Sequence, residues 1–154
     1  MNKEYFVTYN QAVILKELGF DELCDHYYVP CTQIITENTE DDYNISNYRD
    51  FNHDRYMTDI QGNTLISAPT LAQVQDWLRI VHRIYITTDI YFTDYRNGYF
   101  IDKATYGYIY VDFRKDGRAN RISSNYNRNK SFNSPEKAIS AGIDECLSLL
   151  TNKD

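Results

Sequence analysis

The chain has 154 residues, 42% hydrophobic and 25% charged, which fits one globular domain with its own core and excludes a disordered or fibrous chain. Its formal net charge of −6 disfavours attraction of the whole surface to nucleic acid or anionic lipid, while leaving room for a local basic patch. No apolar run reaches the roughly 18 residues that a membrane-spanning helix needs.

The first residues, Met-Asn-Lys-Glu-Tyr-Phe, lack the basic-then-apolar order of a secretory signal. Cys24, Cys31 and Cys146 are an odd, sparse set, so a disulfide framework is not expected and a reducing cytoplasm is. Fifteen tyrosines are the compositional oddity. Tyrosine suits strands and half-wet surfaces, so the expectation is a sheet with one tyrosine-covered face.

In chain order, Thr8 and Gln11 form a Thr-x-x-Gln capping box that opens a helix over Thr8–Leu18, with Val7 and Ala12 as its staple. Ala12, Leu15 and Leu18 share a face, Gly19 stops the helix, and Phe20 folds back on Leu15. His26–Val29 and Thr32–Ile35 are candidate short strands. Residues 37–66 read as a long acidic surface loop, since Glu37–Asp59 holds seven acids against Arg49 and Arg55 and few aliphatics.

A second helix starts near Ser67–Thr70 with Pro69 in its first turn. Its stripe is Leu71, Val74, Trp77, Leu78 and Val81, with Trp77 as core. Ile84–Phe92 alternates as a half-buried strand, with Ile84, Ile86, Thr88, Ile90 and Phe92 on one face. Asn97-Gly98 marks a turn and Tyr99–Ile101 is a candidate strand. Thr105–Phe113 alternates again, with Gly107, Ile109, Val111 and Phe113 on one face and Tyr106, Tyr108, Tyr110 and Asp112 on the other. Asp116-Gly117 turns the chain into Arg118–Ser124, whose polarity suits a sheet edge. Ser134 then caps a closing helix with Pro135 at its first position and the stripe Ile139, Gly142, Ile143, Cys146, Leu147 and Leu150. The predicted fold is α+β, a single domain over 1–154. An antiparallel sheet of three to five strands is packed on one face by about three helices, in the order helix–β-meander–helix over the C-terminal two-thirds.

Three pieces carry a resemblance: Tyr9–Glu22, Ala68–Arg79 and the closing helix from Pro135. In that order they resemble short uncharacterised proteins of Bacteroides-type bacteria and their phages and prophages. Members often carry proline where this chain has Leu23 and phenylalanine where it has Leu78. The likeness covers about a third of the chain and rests on capped amphipathic helices. It implies a cytoplasmic, phage- or mobile-element-related setting and no transferable activity.

Signatures of chemistry are sparse. Cys24, His26 and Cys31 have the spacing Cys-x-His-x4-Cys without a second pair, short of a structural zinc site, and no metal or cofactor is expected. Asp25 beside His26 is a weak hint of a nucleophile's base, and no Gly-x-Ser-x-Gly elbow or phosphate-cradling glycine loop occurs. Asp89, Asp94 and Asp112 lie on or near strands, where paired carboxylates would suit a metal-dependent hydrolase, the least favoured reading. More suggestive is a basic stretch: Arg114, Lys115, Arg118, Arg121, Arg128 and Lys130 fall in a segment whose only acid is Asp116. With Tyr106, Tyr108 and Tyr110 on the neighbouring strand, these are the candidate binding residues for nucleic acid or an acidic partner. The helix–three-strand–helix order also resembles the double-stranded RNA-binding domain. That domain places lysines at the start of its final helix, where this chain has only Lys137 beside Glu136. Acidic 37–59 and basic 114–130 suit protein association, including self-association. The preferred expectation is therefore a non-enzymatic accessory protein that binds a host or phage protein or itself, with nucleic-acid binding as the alternative.

Overall fold

The computed structural model describes residues 2–39, 50–92, 95–96, 99–100, 104–114, 120–123 and 131–152. Helix α1 spans Tyr9–Glu17, and its capping box is made as the sequence implies: the Gln11 N–H donates to Thr8 Oγ1 at 3.2 Å and the Thr8 N–H donates to Gln11 Oε1 at 2.9 Å. Gly19 sits at φ +86, and the Phe20 N–H reaches the Leu15 carbonyl at 2.9 Å, a Schellman ending. Helix α2 spans Leu71–His82 and is capped by Thr70 with Gln73, so Pro69 lies just outside the helix rather than in its first turn. Thr70-x-x-Gln73 is the same box as Thr8-x-x-Gln11. The Pro69 carbonyl instead accepts the Val7 N–H at 3.1 Å. Helix α3 spans Pro135–Thr151, capped by Ser134, whose Oγ accepts the Lys137 N–H at 3.2 Å.

Among the described residues the strands make three antiparallel sheets, and the chain is α+β. Strands β1 (His26–Val29), β2 (Ile34–Glu37) and β3 (Ile66–Ser67) pair in the order β2-β1-β3. Strand β2 begins two residues later than expected, because the chain turns back through Gln33, held at φ 55. Strands β4 (Ile84–Phe92), β7 (Ala104–Asp112) and β8 (Asn120–Ser123) form the second sheet, in the order β4-β7-β8. Between β4 and β7, β5 (Tyr95–Arg96) pairs with β6 (Tyr99–Phe100). Among the described residues polar β8 lies at an edge, and so does β4. The turns expected at Asn97-Gly98 and Asp116-Gly117 lie outside the described residues.

The faces of the second sheet invert one expectation. Ile84, Ile86, Thr88 and Ile90 stand opposite Asp112, Tyr110, Tyr108 and Tyr106. The tyrosine face is therefore the face that α2 and α3 cover, and Tyr108 and Tyr110 are 1% and 2% exposed. Gly142 explains how so large a ring fits: a Cβ there would lie 2.9 Å from Tyr108 Cγ and 2.5 Å from Ile86 Cδ1. The Tyr108 hydroxyl then donates to Glu145 on α3, giving the buried phenol its partner. The opposite face, with Tyr85 and Thr87, is open. Helix α1 does not join this layer. It packs on β3 and α3, where buried Gln11 donates to the Ser140 carbonyl and to Asp144 Oδ1, both at 2.8 Å.

The second half of the expected surface loop is anchored; 40–49 lie outside the described residues. Phe51 is fully buried against Tyr27, with ring centroids 4.8 Å apart. Asn52 Nδ2 donates to the Phe20 carbonyl at 2.9 Å, and its Oδ1 accepts the Ser67 N–H at 3.0 Å. One ring and one amide thus dock a stretch that is poor in aliphatics. Asp59 organises the turn that follows. Desolvation pushes its carboxyl up, but hydrogen bonds from Asn63, Gln61 and Cys31 outweigh this and hold its pKa down at about 2.

Candidate functional site

Arg83, in the left-handed conformation at φ 56, turns the end of α2 directly into β4. Helix α2 therefore runs back along the edge of the sheet that its own following strand forms. The Phe113 N–H donates to the Arg83 carbonyl at 3.1 Å, so odd-numbered residues of β4 exchange main-chain hydrogen bonds with β7. The even-numbered residues Ile84, Ile86, Thr88 and Ile90 turn their N–H and C=O groups outward, where among the described residues no strand pairs with them. Two outward groups are occupied by side chains: Gln75 Nε2 donates to the Ile86 carbonyl at 3.1 Å, and the Ile90 N–H donates to Asp89 Oδ1 at 3.0 Å. The N–H of Ile86 and both main-chain groups of Thr88 remain directed at the open side.

A groove follows this edge. Its wider part, about 420 Å³, lies between Leu71, Ala72 and Gln75 of α2, Thr87 and Thr88 of β4, and Pro135, Glu136 and Ile139 at the start of α3. It continues as a cleft of about 240 Å³ between Ala72, Gln75, Asp76 and Arg79 on α2 and Tyr85 and Ile86 on β4. Ala72 and Gln75 border both parts, so α2 overhangs the strand edge along their length. Arg79 is paired with Asp76 at 2.8 Å, and Glu136 is the one carboxylate among the residues lining the wider part, which Tyr5 and Thr70 also border. A polypeptide in extended form is the ligand whose own N–H and C=O groups match such an edge.

The residues singled out from sequence do not assemble around this groove. Arg114 is gripped by Asp112, with Nε and Nη2 donating to the two carboxylate oxygens at 2.9 and 2.7 Å. Tyr108 and Tyr110 are core residues and offer no ring to a ligand, and Tyr106 is half-buried. Burial pushes the Tyr110 phenol up to about 12, so it stays protonated. Arg121 lies on β8, and Lys115, Arg118, Arg128 and Lys130 are outside the described residues. The nucleic-acid reading thereby loses two of its three stacking rings.

Asp89 and Asp112 stand on opposite faces of the sheet, since Asp89 pairs with Gly107 while Asp112 pairs with Ile84; Asp94 lies outside the described residues. Among the described residues no three His, Cys, Asp or Glu side chains gather as metal ligands, and Cys24, His26 and Cys31 form no such group. The His26 ring is held by Asp25 at 2.6 Å and stacks on Phe6. The neighbouring Cys24 thiol is pushed up to about 12, by burial first and then by the Asp25 charge, so it offers no thiolate. No helix among the described residues is long and apolar enough to cross a membrane. Sequence reading missed Gln75, Thr87 and Thr88, because their role depends on β4 being an edge, which alternation along a strand does not reveal.

No family model, curated protein or solved structure matches the chain.

Proposed function

We propose that this chain is a non-enzymatic accessory protein that acts by binding another polypeptide along the groove at the β4 edge. One observation carries this reading: a strand edge presents outward main-chain groups at Ile86, Thr88 and Ile90 beneath a helix that leaves room for side chains beside them. Main-chain pairing supplies affinity in such a site, and the cavity beside every second residue supplies selectivity. The resemblance of Tyr9–Glu22, Ala68–Arg79 and the closing helix to short phage-related proteins of Bacteroides-type bacteria supports a cytoplasmic setting tied to a phage or mobile element.

The test is selection of random short peptides displayed on a carrier, followed by hydrogen exchange on the complex. Peptides that bind should slow exchange at Ile86 and Thr88 and lose affinity when Ile90 becomes Lys. Failure to select any peptide, or binding that leaves both amides unprotected, would refute the reading.

A further inference from the structure

We infer that the β4 edge joins two copies of this chain, strand to strand and antiparallel about a two-fold axis at Thr88. The inference rests on the reading of this groove as a site for an extended polypeptide, and it names the polypeptide. The outward groups that are already occupied select the partner and the register.

In an antiparallel pair, two facing residues of the bonded kind exchange both hydrogen bonds. A two-fold axis at Thr88 sets Thr88 opposite Thr88 of the second copy, and Ile86 opposite Ile90. In the Ile86–Ile90 pair, one bond would run from the Ile90 N–H to the Ile86 carbonyl. Those are the two groups already satisfied within each copy, by Asp89 and by Gln75. The other bond, from the Ile86 N–H to the Ile90 carbonyl, has both ends turned to the open side. The two Thr88 residues add a reciprocal pair, so the joint makes four main-chain hydrogen bonds and sets each occupied group against an occupied one. Moving the axis to Ile86 would face its occupied carbonyl with an open N–H. A shift of one pair in either direction would likewise leave an open Thr88 group facing an occupied one. Unpaired main-chain groups buried in an interface are costly, so one register is selected.

The side chains agree with this register. Ile90 is an exposed aliphatic at 52%, on the helix side of the sheet. In the pair it stands beside the second copy's Ile86, at the mouth of the cleft that Ile86 shares with Ala72 and Gln75. Thr87 faces Asp89 on the other side of the sheet. Closure by a two-fold axis uses up both β4 edges and leaves polar β8 at each end of the joined sheet.

Light scattering of the full chain over a range of concentrations should give a mass approaching twice 18.2 kDa. Ile90→Lys, at an exposed position that leaves the monomer core intact, should weaken the dimer by at least about tenfold, because it sets a charge beside the second copy's buried Ile86. Thr88→Cys places two thiols opposite each other on facing Cα atoms about 5.5 Å apart, within disulfide range, so a mild oxidant should join the copies covalently. Thr87→Cys faces Asp89 rather than itself and should cross-link poorly. A monomer at all concentrations overturns the inference. So does a dimer indifferent to Ile90→Lys, or one that cross-links through position 87 in preference to 88. Should a monomer still bind selected peptides with protection at Thr88, the inference falls and the proposed function stands; if neither occurs, both fall.

Discussion

Replacing Gly142 by Ala asks whether α3 approaches the sheet as closely as the fold implies. Alanine is the better helix former by about 1 kcal/mol, so in open space the change would stabilise the protein. Here the new Cβ would meet Ile86 Cδ1 at 2.5 Å, Tyr108 Cγ at 2.9 Å and Tyr108 Cδ2 at 3.0 Å. The Ile86 methyl can swing aside. The Tyr108 ring cannot, being 1% exposed and held through its hydroxyl by Glu145. Overpacking of this kind costs about 2–3 kcal/mol, and after the propensity gain a net loss of about 1–2 kcal/mol is expected. For a chain of this size that lowers Tm by about 2–8 °C. Urea unfolding followed by fluorescence of Trp77, the only tryptophan, gives the free energy directly. The double variant Gly142→Ala with Ile86→Val removes the closest methyl and should be less destabilised than the sum of the two single changes. An alanine variant more stable than the parent, or strict additivity, would show that α3 and β7 are not in this contact.

Three further outcomes follow from the same packing. Tyr108→Phe removes a donor from the Glu145 carboxylate and should cost about 1.5–3 kcal/mol, whereas Tyr106→Phe should stay within about 0.5 kcal/mol; equal effects would sink the assignment. At pH 8 a thiol reagent should modify half-exposed Cys31 well before Cys24 and Cys146, which are buried and held at about 12, although desolvation and Asp59 raise the Cys31 thiol as well; three thiols reacting at one rate in the native protein would contradict this. His82 meets Trp77 edge-on with ring centroids 4.4 Å apart, and burial, then the Arg114 charge, lower its pKa below its ordinary value of about 6.5. Its folded state resists the proton more than the unfolded state does. Stability is therefore full above about pH 6.5 and declines as pH falls through the lowered value, with a change in Trp77 emission that His82→Phe should remove.

Local chemistry made much of this fold legible. Thr8 with Gln11, Gly19 and Ser134-Pro135 announce helix ends because capping is satisfied within a few residues of chain, and Thr70 with Gln73 carries the same signal. Alternation over Ile84–Phe92 and Thr105–Phe113 announces strands for the same reason. Which face of those strands is buried was not legible: Ile109 and Val111 look more apolar than Tyr108 and Tyr110, yet it is the tyrosines that lie inside. That choice was made by Gly142 and Glu145, more than thirty residues later in the chain, which supply the space and the hydrogen-bond partner. The anchoring of Phe51 and Asn52 depends in the same way on Tyr27, Phe20 and Ser67.

By itself, then, the sequence determined the elements, their caps and the α+β class, since these follow from forces acting over a few residues. Only the tertiary structure decided that β4 is an edge, that α2 overhangs it, and that Gln75 and Asp89 occupy two of its outward groups while leaving Thr88 open. The physical reason is that a strand's neighbours are set by how whole layers stack, and an outward main-chain group has the same covalent chemistry whether or not another strand lies beside it.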